Sequence, residues 1–175
     1  MRVRTQLLIA AVAITCSIVA IARATPTVGQ IYAVLSNSVS SDEIMVKARV
    51  PIPPVADAIS EDKEDEWTAR LYTSGPTNFQ VLDVTLIPGG HTGWHSHPGI
   101  LLSGVISGSI EWYDSQCAKH VYNAGDALNE NTQTHYVRNV GAVNAHFTVS
   151  YIIAKGQPRR IDQPAPACAA ALGLE

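Results

Sequence analysis

Apolar and polar residues alternate along most of the chain, and the alternation has the two-residue period of a β-strand. It is clearest where Phe147, Val149, Tyr151 and Ile153 interleave with His146, Thr148 and Ser150. Phe79–Ile87 alternates more loosely, and Ile100–Ile106 and Ser109–Tyr113 read as strands separated at Gly108. Upstream, Ile31–Leu35 and Ile44–Val50 have strand composition. Pro51, Pro53 and Pro54 stop the second, because proline cannot donate to a sheet ladder. Turn signals recur at Ser74-Gly75-Pro76, Pro88-Gly89-Gly90, Ser107-Gly108, Asn123-Ala124-Gly125 and Gly141. Short strands between regular turns predict an all-β antiparallel sandwich or barrel. After Ala24 no stretch carries the apolar stripe of a long helix, and no internal repeat is visible. The tail from Pro158 to Glu175 reads as extended as far as Cys168.

One segment breaks the pattern. Met1–Arg4 is basic, Leu7–Ala20 is almost wholly apolar, and Ala22-Arg23-Ala24 has the small-x-small form of a cleavage site. That order predicts a secretory signal peptide cut after Ala24, hence a secreted or periplasmic chain. The apolar run is short for a membrane span of about 20 residues. Cleavage removes three of the 12 basic residues and none of the 15 acidic ones, so the net charge becomes −6. Such a balance disfavours nucleic acid and anionic membrane surfaces as partners. Cys117 and Cys168 remain, and in an exported chain an even pair favours a disulfide. The bond would pin the tail to the barrel wall; two free thiols are the alternative. Ser60–Glu66, with five acids and one lysine, reads as a solvated loop or short helix. The expected plan is a leader over 1–24, N-terminal strands and an acidic loop over 25–66, a barrel over 67–155, and a tail over 156–175.

The stretch Pro88–Gly99 carries the most informative chemistry. On a strand, residues two apart face the same way, so His95 and His97 point together. Neutral imidazole is the commonest metal ligand, and two on one face make half a site. A third histidine, His135, lies on a predicted strand far along the chain. His91, in the glycine-rich loop, could reach the same region, because functional groups often sit on such loops. Glu130 and Gln133 lie just before His135 and are further candidates, although turn positions explain both. His120 and His146 read as surface or strand residues, and Trp94 as packing outside the cup. Asp126 reads as fixing a turn through its side chain, and Arg138 and Asn139 as holding a strand end.

Two motifs in order make a resemblance specific. Gly89, five residues, His95-x-His97 and then Gly108 resembles the first motif of the cupin superfamily. Gly125-Asp126 followed by His135-x-x-x-Asn139 resembles the second. Together they run from Phe79 to Ile153, and the chain looks most like small secreted single-domain bacterial cupins. The resemblance implies a double-stranded β-helix, or jelly roll, with His95, His97 and His135 as metal ligands inside the cup. The family's glutamate ligand would fall near Leu101 or Leu102, where this chain has leucine. The Pro-x-Gly of the second motif is replaced by Asn131-Thr132-Gln133 in a turn one residue shorter. Without the glutamate, either metal binding is lost or a three-histidine site remains, which is a variant known in the superfamily.

Three neutral imidazoles would leave a divalent ion its full charge, making it a strong Lewis acid that prefers anionic ligands. Imidazole suits Fe, Mn, Ni, Cu and Zn, so the spacing does not choose a metal. Two functions stay open. One is a metal-dependent, dioxygenase-like oxidoreductase acting on a small anionic or enolisable substrate, with no catalytic residue assigned. The other is a non-catalytic module that binds a small molecule or a metal. Fold alone does not decide between them. Pairing into a homodimer, with the 31–50 segment adding strands across it, is left open.

Overall fold

The computed structural model describes residues 24–51 and 66–175. The expected leader, apart from Ala24, and the acidic run up to Asp65 lie outside the described residues. In chain order the strands are β1 (Val28–Ser40), β2 (Ile44–Pro51), β3 (Glu66–Thr73), β4 (Thr77–His91), β5 (His95–Ser96), β6 (Gly99–Ser107), β7 (Ser109–Asp114), β8 (Lys119–Asn123), β9 (Ala127–Glu130), β10 (His135–Arg138), β11 (Ala145–Ala154) and β12 (Ile161–Asp162). A short 3-10 helix, Ala170–Leu172, lies near the C-terminus.

Every pairing is antiparallel. One layer runs β1-β4-β11-β6-β9 and the other β12-β5-β10-β7-β8. The layers join where Arg138 of β10 pairs with His91 at the end of β4. The result is the nearly closed jelly-roll barrel that the alternation and the motifs implied. An extra N-terminal strand, β1, is laid along most of β4. The expected barrel range opens at Trp67 on a hairpin: among the described residues β3 pairs with β2 alone, and the barrel's own strands resume at Thr77. The hairpin alternates too, so that Val46, Val50, Leu71 and Trp67 share one face.

Side-chain alternation decides what faces inward. On β11 Phe147, Val149, Tyr151 and Ile153 are buried. Leu82, Val84 and Leu86 of β4, and Leu101 and Val105 of β6, meet them in one core. A fully buried side chain of this size contributes about 1.5–3 kcal/mol. Against the other layer's outer surface lies a second cluster of Trp94, Tyr113, Tyr136, Ala169 and Leu174. Trp94 is fully buried there, and its Nε1 donates to the carbonyl of Leu174 at 2.7 Å. Tyr113 and Tyr136 face this way because their strand neighbours face the cup. The tail therefore closes over an aromatic surface rather than hanging free, and the Cys117–Cys168 disulfide holds it there.

The same outer surface carries a polar buttress between β7 and β10. Glu111 accepts from Tyr113 Oη at 2.7 Å, Arg138 Nε at 2.8 Å and Lys119 Nζ at 3.0 Å. Arg138 also donates to Tyr113 Oη at 2.7 Å and so closes the ring. Burial pushes the Glu111 carboxyl up, but these partners outweigh it, Tyr113 first and then Arg138 and Lys119, and bring it down to about 2.

Two predictions follow from this layer. A depressed carboxyl stabilises the fold at pH values above its unfolded pKa and loses that effect as pH falls through the folded one. The melting temperature of the native chain should exceed that of Glu111→Gln at neutral pH. The gap should close between pH of about 4.5 and about 2, as followed by circular dichroism. The Cys117–Cys168 bond spans a separation of 51 residues. Urea unfolding of C117A/C168A should show a loss of about 2–4 kcal/mol against the oxidised chain.

Candidate metal centre

Register brings the three histidines together. His95 on β5 and His135 on β10 are direct cross-strand partners. His97 lies just past β5, and its ring faces the same way as that of His95. The ring centroids lie 4.7 Å apart for His95–His97, 4.3 Å for His95–His135 and 5.0 Å for His97–His135. One ring nitrogen from each lies within 4.8 Å of the others, and all three residues are buried.

Each ring is held through its Nδ1. His95 Nδ1 bonds the carbonyl of Gly93 at 3.0 Å, His97 Nδ1 that of Arg159 at 2.5 Å, and His135 Nδ1 that of Gln133 at 2.9 Å. A carbonyl only accepts, so Nδ1 carries the proton in all three rings, and the lone pair of each neutral ring is on Nε2. Backbone carbonyls behind imidazoles orient metal ligands in this way.

Local sequence explains two of these acceptors. Gly93 adopts φ +68°, and a Cβ there would lie 2.2 Å from the Thr25 carbonyl oxygen, so only glycine fits. At the other strand, the Gln133 amide donates to Asn131 Oδ1 at 2.8 Å. This Asn-closed turn does the work of the missing Pro-x-Gly and presents the Gln133 carbonyl to His135.

The carboxylate absent from β6 arrives from the next strand. Leu101 faces inward on β6, and its cross-strand partner on β9 is Glu130. The Glu130 side chain is only 9% exposed, and its Oε2 lies 3.3 Å from His135 Nε2 and 3.5 Å from His97 Nε2. Its other oxygen accepts from Trp112 Nε1 at 3.0 Å, and the Trp112 ring stacks on His135 at 5.7 Å. Burial raises the Glu130 carboxyl, but His135 and His97 outweigh it and hold the group far below the usual carboxylate range. Burial lowers His95 strongly, with His135 adding to it. His135 moves the other way: burial opposes protonation, yet Glu130 and the Gln133 carbonyl favour the imidazolium.

These residues fit a bound ion. His135 Nε2 is buried with no hydrogen-bond partner of good geometry. Two ligands about 2.1 Å from one ion sit about 3.0–3.4 Å apart in octahedral or tetrahedral arrangements, close to the Glu130–imidazole spacings. Three imidazoles and a carboxylate form a donor set that divalent transition metals accept.

Comparison with known proteins agrees with the fold. Residues 82–151 match the Cupin_2 family, the cupin domain. This stretch of the chain is a cupin domain. Among solved structures this cupin is similar to a cupin-like protein from Thermotoga maritima, at 22% identity and a TM-score of 0.42 over 50% of this chain and 65% of that one. A Klebsiella pneumoniae protein with a double-stranded β-helix domain gives 22% identity and 0.43 over 49% and 75%. The polyketide cyclase RemF of Streptomyces resistomycificus gives 18% and 0.43 over 53% and 68%. No curated protein matches the sequence.

The remaining candidates fall outside the cluster. His91 stacks on Tyr136 at 5.2 Å, and its Nδ1 accepts from the Gly93 amide. The Gln133 side chain is exposed, and only its carbonyl serves the site. Asn139 binds the Leu86 and Val143 carbonyls, and Asp126 accepts from the Asn123 amide to close a turn. His146 pairs with Asp83 on the outer face of its strand, and His120 is exposed. Residues that the motifs do not mark complete the cavity: Gln30 and Tyr32 of β1, Tyr151 of β11, and Arg159 and Arg160 of the tail. Tyr151 was within reach of sequence reasoning, since it alternates with Phe147 and Val149; the tail arginines carried no such signal.

Replacing Trp112 by Phe keeps a ring against His135 and removes the donor to Glu130. Urea unfolding should show a loss of about 1–3 kcal/mol. The loss should shrink in a Glu130→Gln background if that one bond carries it.

Proposed function

We propose that His95, His97 and His135, with Glu130 as a fourth ligand, hold one divalent transition ion. On this reading the chain is a metal-dependent, dioxygenase-like oxidoreductase for a small anionic or enolisable substrate. One observation carries the proposal: three Nε2 atoms, each turned by a hydrogen bond at the opposite ring nitrogen, converge beside a cavity that His95, His97 and Glu130 line. The bound ion would act as a Lewis acid, favouring the deprotonated form of an enolisable substrate.

The protein's own groups supply the rest. Glu130 offsets part of the ion's charge, and Trp112 keeps its carboxylate aimed at the imidazoles. Aliphatic side chains such as Leu82, Val84 and Leu128 line the cavity and keep water scarce. Burial, with Glu130 adding to it, pushes the Tyr151 phenol up to about 12, so its Oη keeps its proton at neutral pH and can donate to a substrate oxygen. The Cys117–Cys168 bond supports work in an oxidising compartment outside the cytoplasm. No helix among the described residues is long and apolar enough to cross a membrane.

Stripped protein offered Fe, Mn, Ni, Cu and Zn in turn should retain one ion per chain by elemental analysis. Free metal at about 100 times its Kd should raise stability by about 2.7 kcal/mol. His135→Ala should lose both effects. Oxygen uptake over diketones, flavonols and thiols then tests turnover. Metal retention without turnover leaves a binding module, and no retention of any metal overturns the proposal.

A further inference from the structure

The cavity at the histidines has a volume of about 140 Å³. A void of about 150 Å³ accommodates benzene, so this one suits a ligand of roughly six non-hydrogen atoms. Two of its lining residues are arginines, both half-buried, from the segment between β11 and β12. They are not equivalent. Arg160 Nε is bonded to Asp162 Oδ1 at 2.5 Å, so its guanidinium already has a carboxylate partner. Arg159 has no carboxylate partner among the described residues. Its guanidinium lies 5.2 Å from the centroid of the Tyr32 ring, with a nitrogen 3.5 Å from Tyr32 Oη. Tyr32 stiffens the side chain but cannot neutralise it.

The neighbouring polar groups on this wall are uncharged and able to donate. Tyr32 and Tyr151 present hydroxyls, and Gln30 an amide. The single carboxylate of the lining, Glu130, is already committed to the imidazoles and Trp112. A half-buried cation among donors is matched by an anion with planar acceptor oxygens. A guanidinium fork fits a carboxylate in two parallel hydrogen bonds. One cation without a carboxylate partner offers a place for one such charge, and a cavity of this size leaves room for little more than a second oxygen on the adjacent carbon.

Resting on the metal reading for its second anchor, we propose that Arg159 binds the carboxylate of a small 2-oxo or 2-hydroxy monocarboxylate. The ligand's second oxygen faces His95, His97 and His135. Arg159 is thus the residue that sets substrate class. The histidines would accept many oxygen ligands, whereas the guanidinium selects those with a carboxylate at the other end.

The test uses the full mature chain, both zinc-loaded and metal-stripped. Probes are pyruvate, inorganic phosphate, and acetohydroxamic acid, which chelates a metal without presenting a carboxylate. Binding is followed by isothermal titration and by the Nε–H signal of Arg159 in ¹H–¹⁵N spectra. Pyruvate should move that signal in both forms and bind more tightly with zinc present. Arg159→Met should weaken pyruvate by about tenfold or more, and Arg159→Lys by less, since lysine keeps the charge and loses the fork. Acetohydroxamic acid should bind the zinc form of all three proteins within about twofold. This is expected because the main-chain carbonyl that holds His97 survives both substitutions. Three results overturn the inference: pyruvate that binds neither form or is unaffected by Arg159→Met, equal losses for both chelating probes, or phosphate binding as tightly as pyruvate. Failure of zinc to bind, with pyruvate still moving the Arg159 signal in the stripped chain, sinks the metal reading and leaves the carboxylate site standing.

Discussion

Three hydrogen bonds from imidazole Nδ1 atoms to backbone carbonyls set the character of this protein. A histidine ring is ambiguous until one nitrogen is committed. Here the carbonyls of Gly93, Gln133 and Arg159 commit the Nδ1 of His95, His135 and His97. The opposite nitrogens are left close together in a buried place, with the Glu130 carboxylate beside two of them. A core that needed only stability would have apolar side chains there, because clustered buried polar groups cost desolvation. The barrel tolerates them because the apolar core of Leu82, Val84, Leu86, Phe147 and Val149 supplies the folding energy elsewhere.

The rest of the architecture can be understood as support for those carbonyls. Gly93 holds a backbone conformation and a close approach that a side chain would forbid. Asn131 closes the turn from which the Gln133 carbonyl projects. The tail is held by the disulfide, by the Trp94–Leu174 bond and by the pairing of β12 with β5. On the opposite side of β10, Glu111, Tyr113 and Arg138 tie β10 to β7. The strands that bear His95 and His135 are thus held by contacts beyond their mutual pairing.

Much of this was legible in the sequence, and the limits have physical reasons. Alternation over Phe147–Ile153 showed which side chains would face inward, because a half-buried strand has only two faces. The spacing of His95 and His97, with His135 far downstream, announced the cluster. What a linear pattern could not show was the strand next door. Glu130 stood among the candidates in the sequence, but its pairing with Leu101 across β6 and β9, where the family's glutamate was expected, did not show there. A motif records positions along one strand, whereas a ligand set requires only proximity in space, and register is invisible until the sheet forms. Arg159, unlike Glu130, was not among those candidates. The tail has no periodicity to betray its direction, and the barrel surface, rather than local propensity, decides where it lies.

The three acceptors differ in where they come from along the chain, and this orders assembly. Gly93 and Gln133 each stand two residues before the ring they hold, so those rings can be oriented as soon as their own turns form. His97 depends on Arg159, 62 residues further on and close to the C-terminus. The third ring therefore takes its orientation from a part of the chain remote from its own strand, and the three-ring arrangement is complete only where the tail lies against the barrel.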